Sequence, residues 1–188
     1  MPEVRPGPGP EAGTRPVLPT CVASGRVRLI AITPDDAADL VAGRRQDRWH
    51  PEFPRRDDVD VAASVPMAAD WGGWGPRYLV ARQQAIGTIG FHAPPWLEPT
   101  GEVEIGFGLV PSARGHGLGT EAVAALLAEV DAVGVQVRAS VGPGNAASLR
   151  LLAVGGFTAL RGSDEDGRLV LGRPGRTSRV APPTGDLL

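Results

Sequence analysis

Lysine is absent from the 188 residues of this chain. That removes a Walker-type phosphate loop, which places a lysine on the nucleotide phosphates, and any enzyme built on a lysine Schiff base. Cysteine occurs once, at Cys21, which rules out an internal disulfide and a cysteine-based metal cluster. The three histidines, His50, His92 and His116, have no ligand spacing, and no metal is expected. No run of eighteen apolar residues occurs, and the first residues lack the basic-then-apolar layout of a signal peptide, so a cytoplasmic protein is expected. The formal charge of −2 is too near zero to name a nucleic acid or a membrane as partner.

Proline and glycine are abundant, and most concentrated at the two ends. Residues 1–23 and 174–188 are expected to be tails, because such composition offers too little apolar surface to offset the entropy of ordering. The stretch 24–173 is then one domain, long enough to bury roughly 70% of its unfolded surface. Within it, "RVRLIAI" (26–32) has strand character. "TPDDAADLVAG" follows, with Thr33 as N-cap, Pro34 at the first helical position and acids in the first turn. "RRQDRWHPEFPRRDD" (44–58) reads as a connection, with a short helix starting near Asp57 that Pro66 bends or ends. "RYLVA" and "AIGTIGF", separated by three residues, suit a hairpin. A strand over 101–110, a helix over 117–130, a strand over 135–141, a helix from Asn145 and a final strand pair complete a mixed α/β order.

The strand "GEVEIGFGLV" (101–110) holds the first functional signal. Alternate residues share a face, so Val103, Ile105, Phe107 and Leu109 form an apolar side, while Glu102, Glu104, Gly106 and Gly108 form the other. Two glycines on one face weaken a strand and mark either a bulge or the close approach of a ligand or another backbone. The strand runs into Arg114-Gly115-His116-Gly117-Leu118-Gly119 at the start of a helix. Unpaired N–H groups and the positive dipole end favour an anion there, and the glycines let it come close. The spacing departs from the dinucleotide fingerprint, and no acid-terminated strand follows about twenty residues on.

These residues resemble the GNAT superfamily of N-acetyltransferases, whose signature Arg/Gln-x-x-Gly-x-Gly/Ala is matched by Arg114 to Gly119. A second block, "NAASLRLLAVGGF", is similar to the family's Asn-x-x-Ser helix leading into Gly-Phe, with Asn145, Ser148, Gly156 and Phe157 in place. The likeness is greatest to the branch that acetylates serine and alanine termini of ribosomal proteins. It implies a central, mostly antiparallel sheet of six to seven strands with helices on both faces.

The resemblance also implies roles. Acetyl-CoA would be the co-substrate, held through Leu109, Val110, Arg114, Gly115, His116, Gly117, Leu118, Gly119, Thr120, Asn145 and Ser148. Its pantetheine arm would take the room left by Gly106 and Gly108. Glu104 would accept the proton of the acceptor amine, directly or through water, or else form a surface ion pair. Many relatives place a tyrosine after the second block to protonate the leaving thiolate, but the only tyrosine here is Tyr78, far upstream. Ser148 is the substitute that the ribosomal-protein branch suggests, or else an ordinary first-turn residue of a helix capped by Asn145. Glu102 either orients the acceptor or forms an ion pair. His92 either faces the acceptor or ends a strand, and Trp49 and Phe53 either pack on substrate or anchor their loop. The acceptor would be a protein N-terminus or a small-molecule amine, and the protein a monomer or homodimer. A non-catalytic acyl-CoA sensor of the same fold is the alternative.

Overall fold

The computed structural model describes residues 15–68 and 70–174. Among the described residues, eight strands form one sheet: β1 (Cys21–Ser24), β2 (Val27–Ala31), β3 (Arg77–Ala81), β4 (Gln84–Phe91), β5 (Val103–Leu109), β6 (Val137–Val141), β7 (Ala159–Ser163) and β8 (Leu169–Gly172). Their spatial order is β1-β2-β3-β4-β5-β6-β8-β7. Every pairing is antiparallel except β5 with β6. Four α-helices of the described residues accompany it: α1 (Pro34–Val41), α2 (Arg56–Ala62), α3 (Leu118–Val133) and α4 (Ala146–Val154). This is the mixed α/β architecture the sequence implies, with one strand more than the six to seven expected. Among the described residues no helix is long and apolar enough to cross a membrane.

The additional strand is β1, and it corrects the boundary of the N-terminal tail. β1 is short and buries a single side chain, Val22, so it has no alternation to read. The segment before it is fastened by main-chain carbonyls. Trp74 Nε1 donates to Pro16 O at 2.7 Å, Leu18 N–H donates to Gly72 O at 2.8 Å, and Arg77 Nη2 donates to Pro19 O at 2.7 Å. Arg77 is fully buried and pairs with no carboxylate among the described residues; it also donates to Gly73 O at 2.6 Å. Burial pushes its guanidinium down to about 10, so it stays charged at neutral pH. The rest of the expected tails, 1–14 and 175–188, lies outside the described residues.

Local chemistry sets the other boundaries. Thr33 caps α1 by accepting the Asp36 N–H at 3.2 Å, with Pro34 behind it. The hairpin between β3 and β4 turns on two residues, Arg82 and Gln83, both in the left-handed region at φ 48° and 66°, as a tight hairpin requires. On α3, Ala122, Val123, Leu126, Leu127 and Val130 are buried, the stripe expected from their spacing. Each full-sized side chain there contributes about 1.5–3 kcal/mol by leaving water. At the start of α3, a Cβ on Gly119 would meet Leu151 and Leu109 side chains at 3.0 and 3.2 Å, so this glycine sets how closely α3 approaches α4 and β5.

The connection 44–58 packs over the opposite sheet face from the start of α3. Tyr78, Thr88 and Gly108 are successive cross-strand partners on β3, β4 and β5. Three residues of the connection cover that row in turn. Phe53 meets the Tyr78 ring edge-on at 5.9 Å, Asp58 accepts from Thr88 Oγ1 at 2.6 Å, and the Arg55 guanidinium lies over Gly108.

Candidate active site

β5 and β6 pair only at Val103–Val137 and Glu104–Arg138. Beyond those pairs the strands diverge, and Ile105 to Phe107 and Ala139 to Val141 line one cavity of about 610 Å³. A second cavity, about 540 Å³, extends from Phe107 to the 114–120 loop and α4. The two meet at Arg55, Asp57, Phe107, Asn145 and Ser148, which line both. The splay between the strands is therefore what makes a through-going cleft.

The loop end of the second cavity is shaped by glycine main chain. Gly115 and Gly117 have φ of 76° and 78°, a conformation that costs other residues roughly 1–2 kcal/mol. Gly117 is the N-cap of α3, and the first helical bond is Glu121 N–H to Gly117 O at 3.0 Å. The N–H groups of Leu118, Gly119 and Thr120 therefore have no acceptor within the helix. With the dipole of the sixteen-residue α3 behind them, they form an anion cradle. Glu52 accepts from both Ser112 N and Oγ at 3.0 Å just before the loop, and these bonds hold its carboxyl below the ordinary range. Arg114 lines the cavity and donates Nε–H to Leu109 O at 3.0 Å. Leu109, Gly115, Gly117, Leu118, Gly119 and Thr120 line it as well.

Two loop-side expectations need correction. Val110 is fully buried and donates its N–H to Ile86 O at 2.8 Å, leaving it outside the cavity. His116 points to the other side of the loop, into a smaller hollow shared with Arg26, His50 and Arg82. Asn145 and Ser148 stand at the junction, where Asn145 Oδ1 accepts the Ser148 N–H at 3.1 Å and caps α4. The Ser148 hydroxyl takes no part in that bond.

The first cavity sets charged side chains among apolar ones. Glu104 lines it, with Oε2 accepting from Arg138 Nε at 3.0 Å and Oε1 3.7 Å from His92 Nδ1. His92 lines the same wall, and a Cβ on Gly106 would meet its Nε2 at 3.0 Å. Asp57 and Asp60 project from α2 onto the other side. Glu102, expected on the groove face, is buried to 7% exposure and paired with Arg161 at 2.6 Å, so it is a structural ion pair outside the cavity. Trp49 and Phe53 are also corrected to core positions. They are buried, stack edge-on at 5.7 Å, and line neither cavity. Of the glycines expected to leave room for a ligand arm, Gly108 instead underlies Arg55 and Gly106 underlies His92. Tyr78 sits in the core, its phenol pushed up by burial, and lines neither cavity.

The residue that sequence reading missed is Arg55. Its one available signal is local: Asp58 stands three residues after Arg55, at N3 of α2, and reaches back to the Arg55 N–H at 2.8 Å, the acidic half of a capping box. Nothing in the sequence links that pair to Gly108, fifty-odd positions away.

Comparison with known proteins agrees with this geometry. Residues 26–158 match the model of the acetyltransferase (GNAT) domain. No curated protein matches the sequence. Among solved structures, a GnaT-family acetyltransferase from Bordetella pertussis is 24% identical with a TM-score of 0.62, the match covering 82% of this chain and 99% of that one. A ribosomal-protein-serine acetyltransferase from Vibrio cholerae is 17% identical with a TM-score of 0.57, covering 83% and 98%. The microcin self-immunity acetyltransferase MccE, solved with acetyl-CoA and AMP, is 17% identical with a TM-score of 0.59, covering 80% and 93%. At these identities the solved structures establish the shared fold, and the domain match, which takes in the 114–120 loop, the splayed strands and α4, establishes the family: this chain belongs to the GNAT acetyltransferases.

Proposed function

We propose that the protein is an acetyl-CoA-dependent N-acetyltransferase that acts by direct attack within a ternary complex. The observation that carries this reading is the meeting of two differently built cavities at the β5–β6 splay. The main-chain cradle at 117–120 suits the cofactor pyrophosphate, with Arg114 beside it. The side-chain cavity ending at Glu104 suits a primary amine, either of a protein N-terminus or of a small molecule. The walls supplied by Asp57 and Asp60 favour an acceptor that carries positive charge.

The chemistry follows from that placement. An alkyl ammonium with a pKa of about 10 must lose a proton before it can attack. Glu104 takes that proton, directly or through a water. The amine nitrogen then bonds to the thioester carbonyl carbon, the carbon–sulfur bond breaks, and the second proton the nitrogen must shed reaches the departing sulfur through the hydroxyl of Ser148 at the junction, which gives one proton and takes one back. The products are an amide and free CoA. With Tyr78 in the core, no tyrosine among the described residues can serve as the acid.

The first test is thermal melting with acetyl-CoA, with ATP and NAD as controls. Ligand at 100 times its dissociation constant adds about 2.7 kcal/mol. A rise selective for acetyl-CoA is expected, and no rise would refute the reading. Thiol release is then followed with a panel of Ala- and Ser-initiated peptides, spermidine and kanamycin. Binding without release across such a panel would favour the acyl-CoA sensor.

A further inference from the structure

Arg55 occupies the one place that both cavities share with a cation. Its guanidinium is fixed along one edge: Nε donates to Asp58 Oδ2 at 2.9 Å and Nη2 to Asp58 Oδ1 at 2.6 Å. Asp58 is fully buried and accepts two more bonds, from the Arg55 N–H at 2.8 Å and Thr88 Oγ1 at 2.6 Å. Four bonds to one buried carboxylate offset its desolvation and leave the arginine little freedom. The free edge, Nη1, has no hydrogen-bond acceptor among the described residues; its nearest carboxylate is that of the exposed Asp57, 3.9 Å away. The end of the guanidinium that carries Nη1 and Nη2 lies against β5 at Gly108, where a Cβ would overlap both Nη atoms. The glycine is thus explained by the arginine it accommodates.

We propose that Arg55 stabilises the negative charge that develops on the acetyl oxygen during transfer. The proposal rests on the acetyl-transfer reading: if the cofactor lies in the second cavity and the amine in the first, the carbonyl carbon is at their junction, beside Arg55 and Ser148. As the amine nitrogen attacks, the carbonyl π pair moves to oxygen, and it returns when the carbon–sulfur bond breaks. The Arg55–Asp58 pair is neutral overall, so it gains little by attracting an anion in the ground state. Its N–H groups are nonetheless fixed in direction, the arrangement that acts on charge appearing in the transition state. An arginine free to swing would pay in reorganisation what this one has settled in folding.

The test compares wild type with R55Q, R55K and the double variant R55M/D58N, which removes both members of the buried pair and leaves no uncompensated charge. Three quantities are read: melting temperature, the dissociation constant for CoA, which lacks the acetyl group, and kcat with the fastest acceptor of the amine panel. The expected result is a fall in kcat of about a hundredfold in R55Q and R55M/D58N. CoA affinity and the acceptor KM stay within threefold of wild type. R55K, which keeps the charge without the forked donors, recovers less than a tenth of the wild-type kcat. A folded R55M/D58N with kcat within threefold of wild type overturns the role of Arg55 alone. So does a loss confined to CoA affinity. A wild-type protein that binds no CoA overturns the role and the acetyl-transfer reading together.

Discussion

The cavity that begins at the 114–120 loop and the cavity that ends at Glu104 meet at Arg55, Asp57, Phe107, Asn145 and Ser148, yet they are held in shape by different means. On the loop side the binding groups are main-chain N–H donors, and their direction is set by two left-handed glycines and by the axis of α3. On the Glu104 side the polar groups described above are side chains held by other side chains: Glu104 by Arg138 from β6, and Arg55 by the neighbouring Asp58, which is itself bonded to Thr88 on β4. A main-chain site tolerates changes in the side chains around it and fails when the backbone or the local charge changes. A side-chain site keeps its shape and loses its chemistry when one atom is exchanged. The mutations that follow separate these two modes.

The largest effect is expected from Gly117→Glu. It forces a side chain onto a backbone with φ of 78° and sets a carboxylate beside the open N–H groups, where the dipole had favoured an anion. CoA affinity is expected to fall more than a hundredfold by calorimetry, equivalent to at least about 2.7 kcal/mol. Retained affinity would mean that the cradle is not the anion site. Glu104→Gln should do the reverse. The isosteric amide still accepts from Arg138, so CoA affinity stays near wild type, while kcat at neutral pH falls by about 10²-fold or more. If both constants fell together, the cavities would not be separable and the contrast drawn above would fail.

A smaller effect sharpens the acceptor side. Asp57 is highly exposed and, with Asp60, faces the first cavity. Exposed charges of this kind contribute about 0.2–1 kcal/mol each. Asp57→Asn with Asp60→Asn is therefore expected to raise KM for spermidine by about threefold to tenfold at low salt. The difference should shrink as ionic strength rises, because such charges are screened beyond roughly 10 Å at 0.1 M. A KM that does not move would indicate a solvated rim rather than a recognition wall.

The same contrast explains what could be read from the sequence. The cradle is local: Arg114 to Thr120 are contiguous, and glycine spacing at the start of an amphipathic helix encodes both the turn and the open N–H groups. The fold was legible for a related reason, since β5, α3 and β6 each carry their own periodicity. The Glu104 side was only half legible. Strand alternation placed Glu104 in the groove, but it also placed Glu102 there, and Glu102 turned out to be neutralised by Arg161 from β7. Trp49 and Phe53 were open to two readings because aromatic residues in a polar connection serve a pocket or a core equally well; their packing on each other and on Tyr78 settled it. Arg55 was invisible because its meaning lies in three segments at once, and β1 because four residues with one buried side chain carry no period.

The smallest expected effect concerns how the loop side is braced. Glu121, in the first turn of α3, accepts from the Arg26 N–H at 2.5 Å and from Arg26 Nε at 3.0 Å, and pairs with Nη2 at 2.9 Å. Arg26 Nη1 in turn donates to His116 O, inside the glycine loop, at 3.1 Å. The β1–β2 turn is thus clipped to the cradle through an exposed pair. The Arg26 backbone bond is the leading cause that holds the Glu121 carboxyl below its ordinary 4.5. For an acid lowered in the folded state, the stabilisation is present above the unfolded pKa and is lost as pH falls through the folded one. Glu121→Gln should therefore lower the melting temperature near pH 7 by at most about 3 °C. The gap from wild type should close progressively below pH 4.5, as the wild-type carboxyl itself becomes protonated. CoA affinity should remain within twofold at pH 7, because the N–H groups of 118–120 are directed by the helix and not by the clip. A large loss of CoA affinity without a loss of stability would show the opposite: that the main-chain cavity, too, depends on a side-chain partner brought from a distant strand.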